Sequence, residues 1–108
     1  MVDCTGYETL KVEKREGIAL VTLNRPEVLN AVNRKMHEEL ETLFESLEAD
    51  GEVKVVVLTG AGRAFCAGGD IKSMRERDVS PTPPLRTGAK RLIDNILNLS
   101  APIIAAVN

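Results

Sequence analysis

The residues best placed to do chemistry lie in one run, Gly60-Ala61-Gly62-Arg63-Ala64-Phe65-Cys66-Ala67-Gly68-Gly69-Asp70-Ile71. It follows the apolar, β-branched stretch Val53 to Leu58, which is too short for a typical helix. That stretch reads as a strand over 53–59, buried on both faces of a parallel sheet. Two glycines then turn the chain, an apolar bend follows, and Gly68-Gly69 turns it again into a short helix from Ile71 to Arg77, with Asp70 as N-cap. Paired glycines ahead of a helix N-terminus leave a backbone N–H bare, where orphan amides and the helix dipole favour negative charge. Gly69 is therefore a candidate to hold an anion, or an oxygen that becomes anionic in a transition state. The same glycines also suit a plain strand–turn–helix joint that needs residues tolerant of positive φ.

Other reactive groups point less far. Cys66 has apolar neighbours and no histidine near it in sequence, so it reads as a packed thiol rather than a nucleophile. His37 lies beside an apolar stripe with no evident partner and reads as a surface histidine. Gly60 and Gly62 give G-x-G, but Phe65 stands where a dinucleotide fingerprint needs its third glycine. Five residues separate Gly62 from Gly68 and no Lys-Ser/Thr follows, so the run is not a Walker A loop either. Those failed spacings argue against an unrelated α/β nucleotide binder. No G-x-S-x-G, H-E-x-x-H or C-x-x-C occurs. Cys4 and Cys66 are the only cysteines and offer neither metal spacing nor a disulfide framework, which fits a reducing compartment. A net charge of −2 gives no basic surface for nucleic acid. No apolar stretch is long enough to span a membrane, and residues 1–20 lack the marks of a signal peptide, so the expected location is cytoplasmic.

The elements that must position the glycine run read as follows. Leu10 to Lys14 alternates apolar and polar, Glu16-Gly17 turns, and Ile18 to Leu23 forms the second arm of a hairpin. Asn24-Arg25-Pro26-Glu27 ends it. Asn33 or Asn30 caps the next helix, in which Met36, Leu40, Leu43, Phe44 and Leu47 fall on one face. Arg34–Glu38 and Lys35–Glu39 are i,i+4 pairs on the other side, and the acidic run reads as a solvated face. Asp50-Gly51 ends this helix. Beyond the glycine run, residues 78–84 read as a proline-rich loop, and 78–86 as the most mobile internal segment. Helical periodicity resumes from Leu85 to Leu99, Ser100-Ala101-Pro102 stops it, and Ile103 to Val107 reads as another fully buried strand. The core is aliphatic, since 44% of the 108 residues are hydrophobic and only 3% aromatic. A hairpin followed by alternating helices and buried strands is an α/β pattern. Because buried strands seldom end a domain, residues 1–108 are expected to be the N-terminal part of a single domain, incomplete at its C-terminus.

Three stretches together carry a family resemblance. Asn24-Arg25-Pro26-Glu27-Val28-Leu29-Asn30-Ala31-Val32-Asn33, followed by Met36 and Glu39-Leu40, resembles the first signature of the crotonase (enoyl-CoA hydratase/isomerase) superfamily. Gly60 to Ile71 resembles its second, and Pro102 to Asn108 resembles the approach to its third. The order and spacing match over nearly the whole chain. The resemblance implies a crotonase-like ββα spiral, of which this is the N-terminal part, that binds an acyl-CoA thioester. Coenzyme A enters as part of the substrate, with no permanently bound cofactor and no metal.

Matched residue by residue, the resemblance puts the first backbone donor of an oxyanion hole on Gly69. It places CoA-holding loops at Glu27, Val28 and Leu29 and from Ala67 through Gly69 and Asp70 to Ile71. Arg25 and Lys72 are further candidates for CoA phosphates, with solvated surface charge as their alternative, and Arg63 has similar standing. The family's second donor lies in a glycine-rich turn beyond Asn108, and its catalytic glutamates lie further on, so no residue here matches them. Hydration of a 2-enoyl-CoA is the commonest chemistry so implied. Double-bond isomerisation, thioester hydrolysis, decarboxylation and dehalogenation share this front half, and a non-catalytic acyl-CoA-binding or assembly subunit is the rival of another class. Trimers or dimers of trimers are implied for the complete protein. The 108 residues alone are expected to fold poorly or aggregate.

Overall fold

A computed structural model of the chain describes residues 4–69 and 84–108. Strand β1 (Leu10–Arg15) and strand β2 (Ile18–Leu23) form an antiparallel hairpin across a turn in which Glu16 and Gly17 both take positive φ. A short 3₁₀ turn (Pro26–Val28) leads to helix α1 (Arg34–Ala49). Strand β3 (Val55–Gly60), helix α2 (Pro84–Leu97) and strand β4 (Ile103–Ala105) follow. The four strands make one sheet in the order β1-β2-β3-β4, with β2, β3 and β4 parallel.

Register decides what each strand buries. Leu10 faces Leu23 and Val12 faces Val21 across the hairpin, while Ala19 pairs with Val56 and Val21 with Leu58 across the parallel seam. Paired residues share a face of the sheet. Leu10, Val12, Ala19, Val21, Leu23 and Val56 therefore form one apolar surface, and α1 lays Met36, Leu40, Leu43, Phe44 and Leu47 upon it. The helical stripe read from the sequence is the one buried. Asn33, rather than Asn30, caps α1: its Oδ1 accepts from the Met36 N–H at 2.9 Å. Helix α2 lies beside α1, tied by Arg91 to Glu45 at 2.6 Å and by Asn95 Nδ2 to the Glu41 carbonyl at 3.2 Å.

The structure corrects the strand expectations in one respect. Among the described residues β3 is covered on one face only, so Val56 is fully buried while Val55 and Val57 are half-buried. β4 is shorter than expected, and Ile104 is 54% exposed. The reason is layering: the described helix α1 lies on one side of the sheet, and an apolar run records which residues tolerate burial without recording what covers them. Two readings on α1 also change. His37 does have a partner, Glu41 Oε1 at 2.9 Å. Glu39 leaves the solvated face and is buried against Thr9. The expected helix from Ile71 to Arg77 and the loop at 78–83 lie outside the described residues. The remainder of the segment expected to be mobile, 84–86, begins α2. Among the described residues, no helix is long and apolar enough to cross a membrane, and no group of three or more His, Cys, Asp or Glu could hold a metal ion.

Candidate active site

Because β2, β3 and β4 run parallel, the segments that leave their C-terminal ends meet at one end of the sheet. Those segments are 24–33, 61–69 and 106–108, the three stretches that carry the motifs. In open α/β sheets this is the end where ligands bind.

The segment after β2 coils tightly. Leu29 and Asn30 both hold left-handed backbone, at φ 54 and 58. Asparagine tolerates this conformation well, and leucine adopts it only when its surroundings impose it. The Leu29 N–H donates to the Pro26 carbonyl at 3.2 Å and the Asn30 N–H to the Arg25 carbonyl at 2.9 Å. Asn30 is fully buried. Its Oδ1 accepts from the Arg25 N–H at 2.7 Å, and its Nδ2 donates to the carbonyls of Ala61 at 2.9 Å and Ala64 at 2.8 Å. One carboxamide thus closes its own loop and staples it to the glycine run.

The glycine run is built by close approach and by positive φ. A Cβ on Gly60 would lie 2.4 Å from the Phe65 carbonyl oxygen and 2.5 Å from that of Ala64, so no other residue fits without backbone movement. Gly62 and Gly68 take φ of +79 and +102. Two backbone bonds then strap the far end of the run to the first loop. The Ala67 N–H donates to the Leu29 carbonyl at 3.0 Å, and the Val32 N–H to the Gly68 carbonyl at 2.7 Å. The second of these belongs to a parallel bridge between Val32 and Gly69. In that pairing the Gly69 N–H is not used, and it donates to no acceptor among the described residues. Gly69 itself is exposed. The Cys66 thiol is half-buried against the core, and its Sγ accepts from the Gly68 N–H at 3.4 Å.

The remaining candidates divide. Glu27 and Val28 are exposed and Leu29 is half-buried on the first loop, with exposed Ala67 on the loop strapped to it. Of these, Leu29 and Ala67 are joined directly, two residues before Gly69. Arg25 turns its guanidinium inward, donating to the Ala31 carbonyl at 2.5 Å, whereas Arg63 is exposed. Asp70, Ile71 and Lys72 lie outside the described residues. Two clefts lie elsewhere, one against α1 and α2 at Phe44 and Asn95 and one at the opposite end of the sheet near Asp50 and Pro102.

Glu39 supports the site from the side. Its carboxylate accepts from the N–H groups of Glu8 and Thr9 at 2.8 Å each and from the Thr9 hydroxyl. Burial pushes its pKa up, but these donors, the Thr9 hydroxyl foremost, outweigh burial and hold it below the usual carboxylate range. Thr9 in turn accepts the Asn24 N–H at 2.8 Å, at the start of the first loop.

Sequence reasoning weighed Asn30 only as a helix cap and missed it as the central staple. Its partners lie 31 and 34 residues away. The one local signal was an asparagine next to a proline-initiated turn, where left-handed backbone is tolerated.

An α/β sheet with three parallel strands and three motif loops at their C-terminal end defines the class, and the comparisons with known proteins name it. The family described as enoyl-CoA hydratase/isomerase matches residues 13–108. A probable enoyl-CoA hydratase of Rhodobacter capsulatus is 40% identical over 103 residues, covering 95% of this chain and 39% of its own. The hydroxycinnamoyl-CoA hydratase-lyase of Pseudomonas fluorescens is 42% identical over 107 residues, covering 94% of this chain and 39% of its own. The crystal structure of an enoyl-CoA hydratase/isomerase from Xanthobacter autotrophicus superposes with a TM-score of 0.84 at 35% identity, over 95% of this chain and 39% of that one. The chain belongs to the enoyl-CoA hydratase/isomerase (crotonase) family. It spans about two-fifths of the length of the relatives it matches.

Proposed function

We propose that the protein processes acyl-CoA thioesters, adding water to a 2-enoyl-CoA, and that Gly69 supplies one backbone donor of its oxyanion hole. The observation that carries this is the Gly69 N–H, held by the bridge to Val32 yet donating to nothing among the described residues. In the reaction a water oxygen bonds to C3 and loses a proton to a base. The C2=C3 pair shifts toward C1, charge collects on the thioester oxygen as an enolate, and protonation of C2 restores the carbonyl. A fixed N–H aimed at that oxygen lowers the barrier because it needs no reorganisation as charge develops. Glu27, Val28, Leu29 and Ala67, with Asp70, Ile71 and Lys72 beyond the described residues, are proposed to hold the CoA portion. Arg25 is a weaker candidate, its guanidinium being engaged with Ala31.

No residue of this chain is assigned as second donor, acid or base. The 108 residues alone are therefore proposed to be inactive, as one part of a single acyl-CoA-binding domain. The exposure of Leu97, Ile104 and Val107 supports the same reading.

The test is kcat on a short 2-enoyl-CoA in the full-length protein for Gly69→Pro and Gly69→Ala. Proline removes the N–H, and loss of one such donor costs about 2.7–4 kcal/mol, or about 10²–10³ in rate. Alanine keeps the N–H and loses far less. Melting curves separate this from disturbance of the turn by the fixed φ of proline. A well-folded Gly69→Pro protein with undiminished kcat overturns the assignment.

A further inference from the structure

Two carboxamides from different loops converge on the glycine run. Asn30 Nδ2 donates to the carbonyls of Ala61 and Ala64 from one side. Asn108 Nδ2 donates to the carbonyls of Gly60 at 2.9 Å and Gly62 at 2.7 Å from the other. Four carbonyls within five residues are thus held by two side chains that belong to neither β3 nor its turn. A carboxamide has two N–H groups on one planar nitrogen, so each asparagine can bind two carbonyls at once and fix their separation. The run is then strapped to the Asn30 loop on either side of that residue, through the Leu29 carbonyl and the Val32 N–H.

We propose that Asn30 and Asn108 are positioning residues that act as a clamp: by fixing the carbonyls of residues 60–64 they set the direction in which the Gly69 N–H points. This rests on the reading of Gly69 as an oxyanion donor. The path is short and wholly hydrogen-bonded. Asn30 fixes the start of the glycine run against the same loop that, two residues later, receives its end. With the start free to drift, the Ala67–Leu29 bond and the Val32–Gly69 bridge would carry the alignment by themselves. Hydrogen bonds weaken steeply with angle, and a displacement of about 1 Å at a reacting centre costs about 10²-fold in rate. Asn30 has a further suitability for the task, because its left-handed backbone directs the side chain back under the turn without strain.

Three variants of the full-length protein test this. Asn30→Gly keeps the left-handed backbone and removes the carboxamide. Asn30→Asp keeps the shape and faces two carbonyls with a carboxylate. Asn108→Ala removes the second arm at an exposed position. The readouts are kcat and KM per titrated active site, and the infrared C=O stretch of a bound thioester, which reports how strongly its oxygen is hydrogen-bonded.

The expected result is a kcat lowered about 10- to 100-fold in Asn30→Gly and Asn30→Asp, and less in Asn108→Ala, with KM little changed. The thioester band should move back toward its position in water-free solution. A purely structural staple would lower the melting temperature and the fraction of active sites, while leaving kcat per site and the band in place, and that outcome overturns the proposal. Gly69→Pro separates the two claims. If it moves kcat and the band while the Asn30 variants do not, the clamp is wrong and the Gly69 reading stands. If folded Gly69→Pro moves neither, the Gly69 reading fails and the clamp fails with it.

Discussion

The two ends of the sheet are fastened in different ways. At the end where β2, β3 and β4 finish, the cross-links between loops are backbone bonds and the carboxamides of Asn30 and Asn108. None of those links titrates; the one ionised brace described above for this end, Glu39, acts from outside the three loops through Thr9. At the opposite end, Lys14 Nζ meets Asp50 Oδ2 at 2.8 Å and Glu52 Oε2 at 2.9 Å, and Glu48 accepts from the N–H and hydroxyl of Ser100 at 2.7 Å each. Neutral, directional bonds fix where a backbone points and keep that geometry as pH and salt vary. Charge pairs hold elements together with looser geometry and respond to both. The end proposed to aim an amide uses the first kind of fastening.

The largest expected effect comes from Gly60→Ala in the full-length protein. Its Cβ has no room against two carbonyl oxygens, so the turn must shift, at a cost of about 3 kcal/mol, the upper end for overpacking. Denaturant melts check this, and a loss under about 1 kcal/mol would show the turn to be soft. Next comes Asn30→Ala, which strips two carbonyls of their donor and costs about 2 kcal/mol. That loss should be the same at low and high salt.

Glu39→Gln sharpens the comparison through pH. Glutamine offers an N–H₂ where three donors converge, so at neutral pH the loss should be about 1–2 kcal/mol. Because the folded pKa of Glu39 is depressed, its stabilisation is fully present above the unfolded value of about 4.3 and disappears as pH falls through the folded pKa. The gap between wild type and variant should therefore close in acid.

The smallest effect is expected from Lys14→Met, and it should shrink further with added salt. Hydrogen bonds to Asp50 and Glu52, in that order, raise the Lys14 pKa. This contribution is present below the ordinary lysine value of about 10.4 and is lost as pH rises through the folded pKa. Melting at two ionic strengths decides it, and a salt-independent loss would erase the distinction between the two ends.

Local pattern was legible in the sequence, and long-range partnership was not. Alternation located the hairpin, since Leu10 and Val12 face inward with Lys11 between them, and the 3.6-residue stripe picked the buried face of α1. Failed glycine spacings and three motifs in order were enough to reach the family. The coverage of β3 and β4 was misjudged because Val57 and Ile104 look alike whether or not a layer lies over them. Glu39 was read as solvated because its partners, Glu8 and Thr9, sit about thirty residues earlier on a segment with no helical or strand signal of its own. Asn30 escaped for the same reason. Gly69 was proposed from its neighbours and the family motif, but its pairing with Val32 was not legible there.

The parallel arrangement of β2, β3 and β4 also has a kinetic consequence. The hairpin closes a loop of a few residues, whereas Asn30 reaches Ala61 across 31 positions and Asn108 reaches Gly60 across 48. Chain-closure entropy must be overcome before such distant pairs stabilise anything. The hairpin should therefore order early, and the motif loops should be among the last parts to find one another. Run backwards, the same hierarchy makes the loop junction an early point of opening, with amides such as Val32 and Ala67 exchanging with solvent sooner than those of Glu13 or Val21.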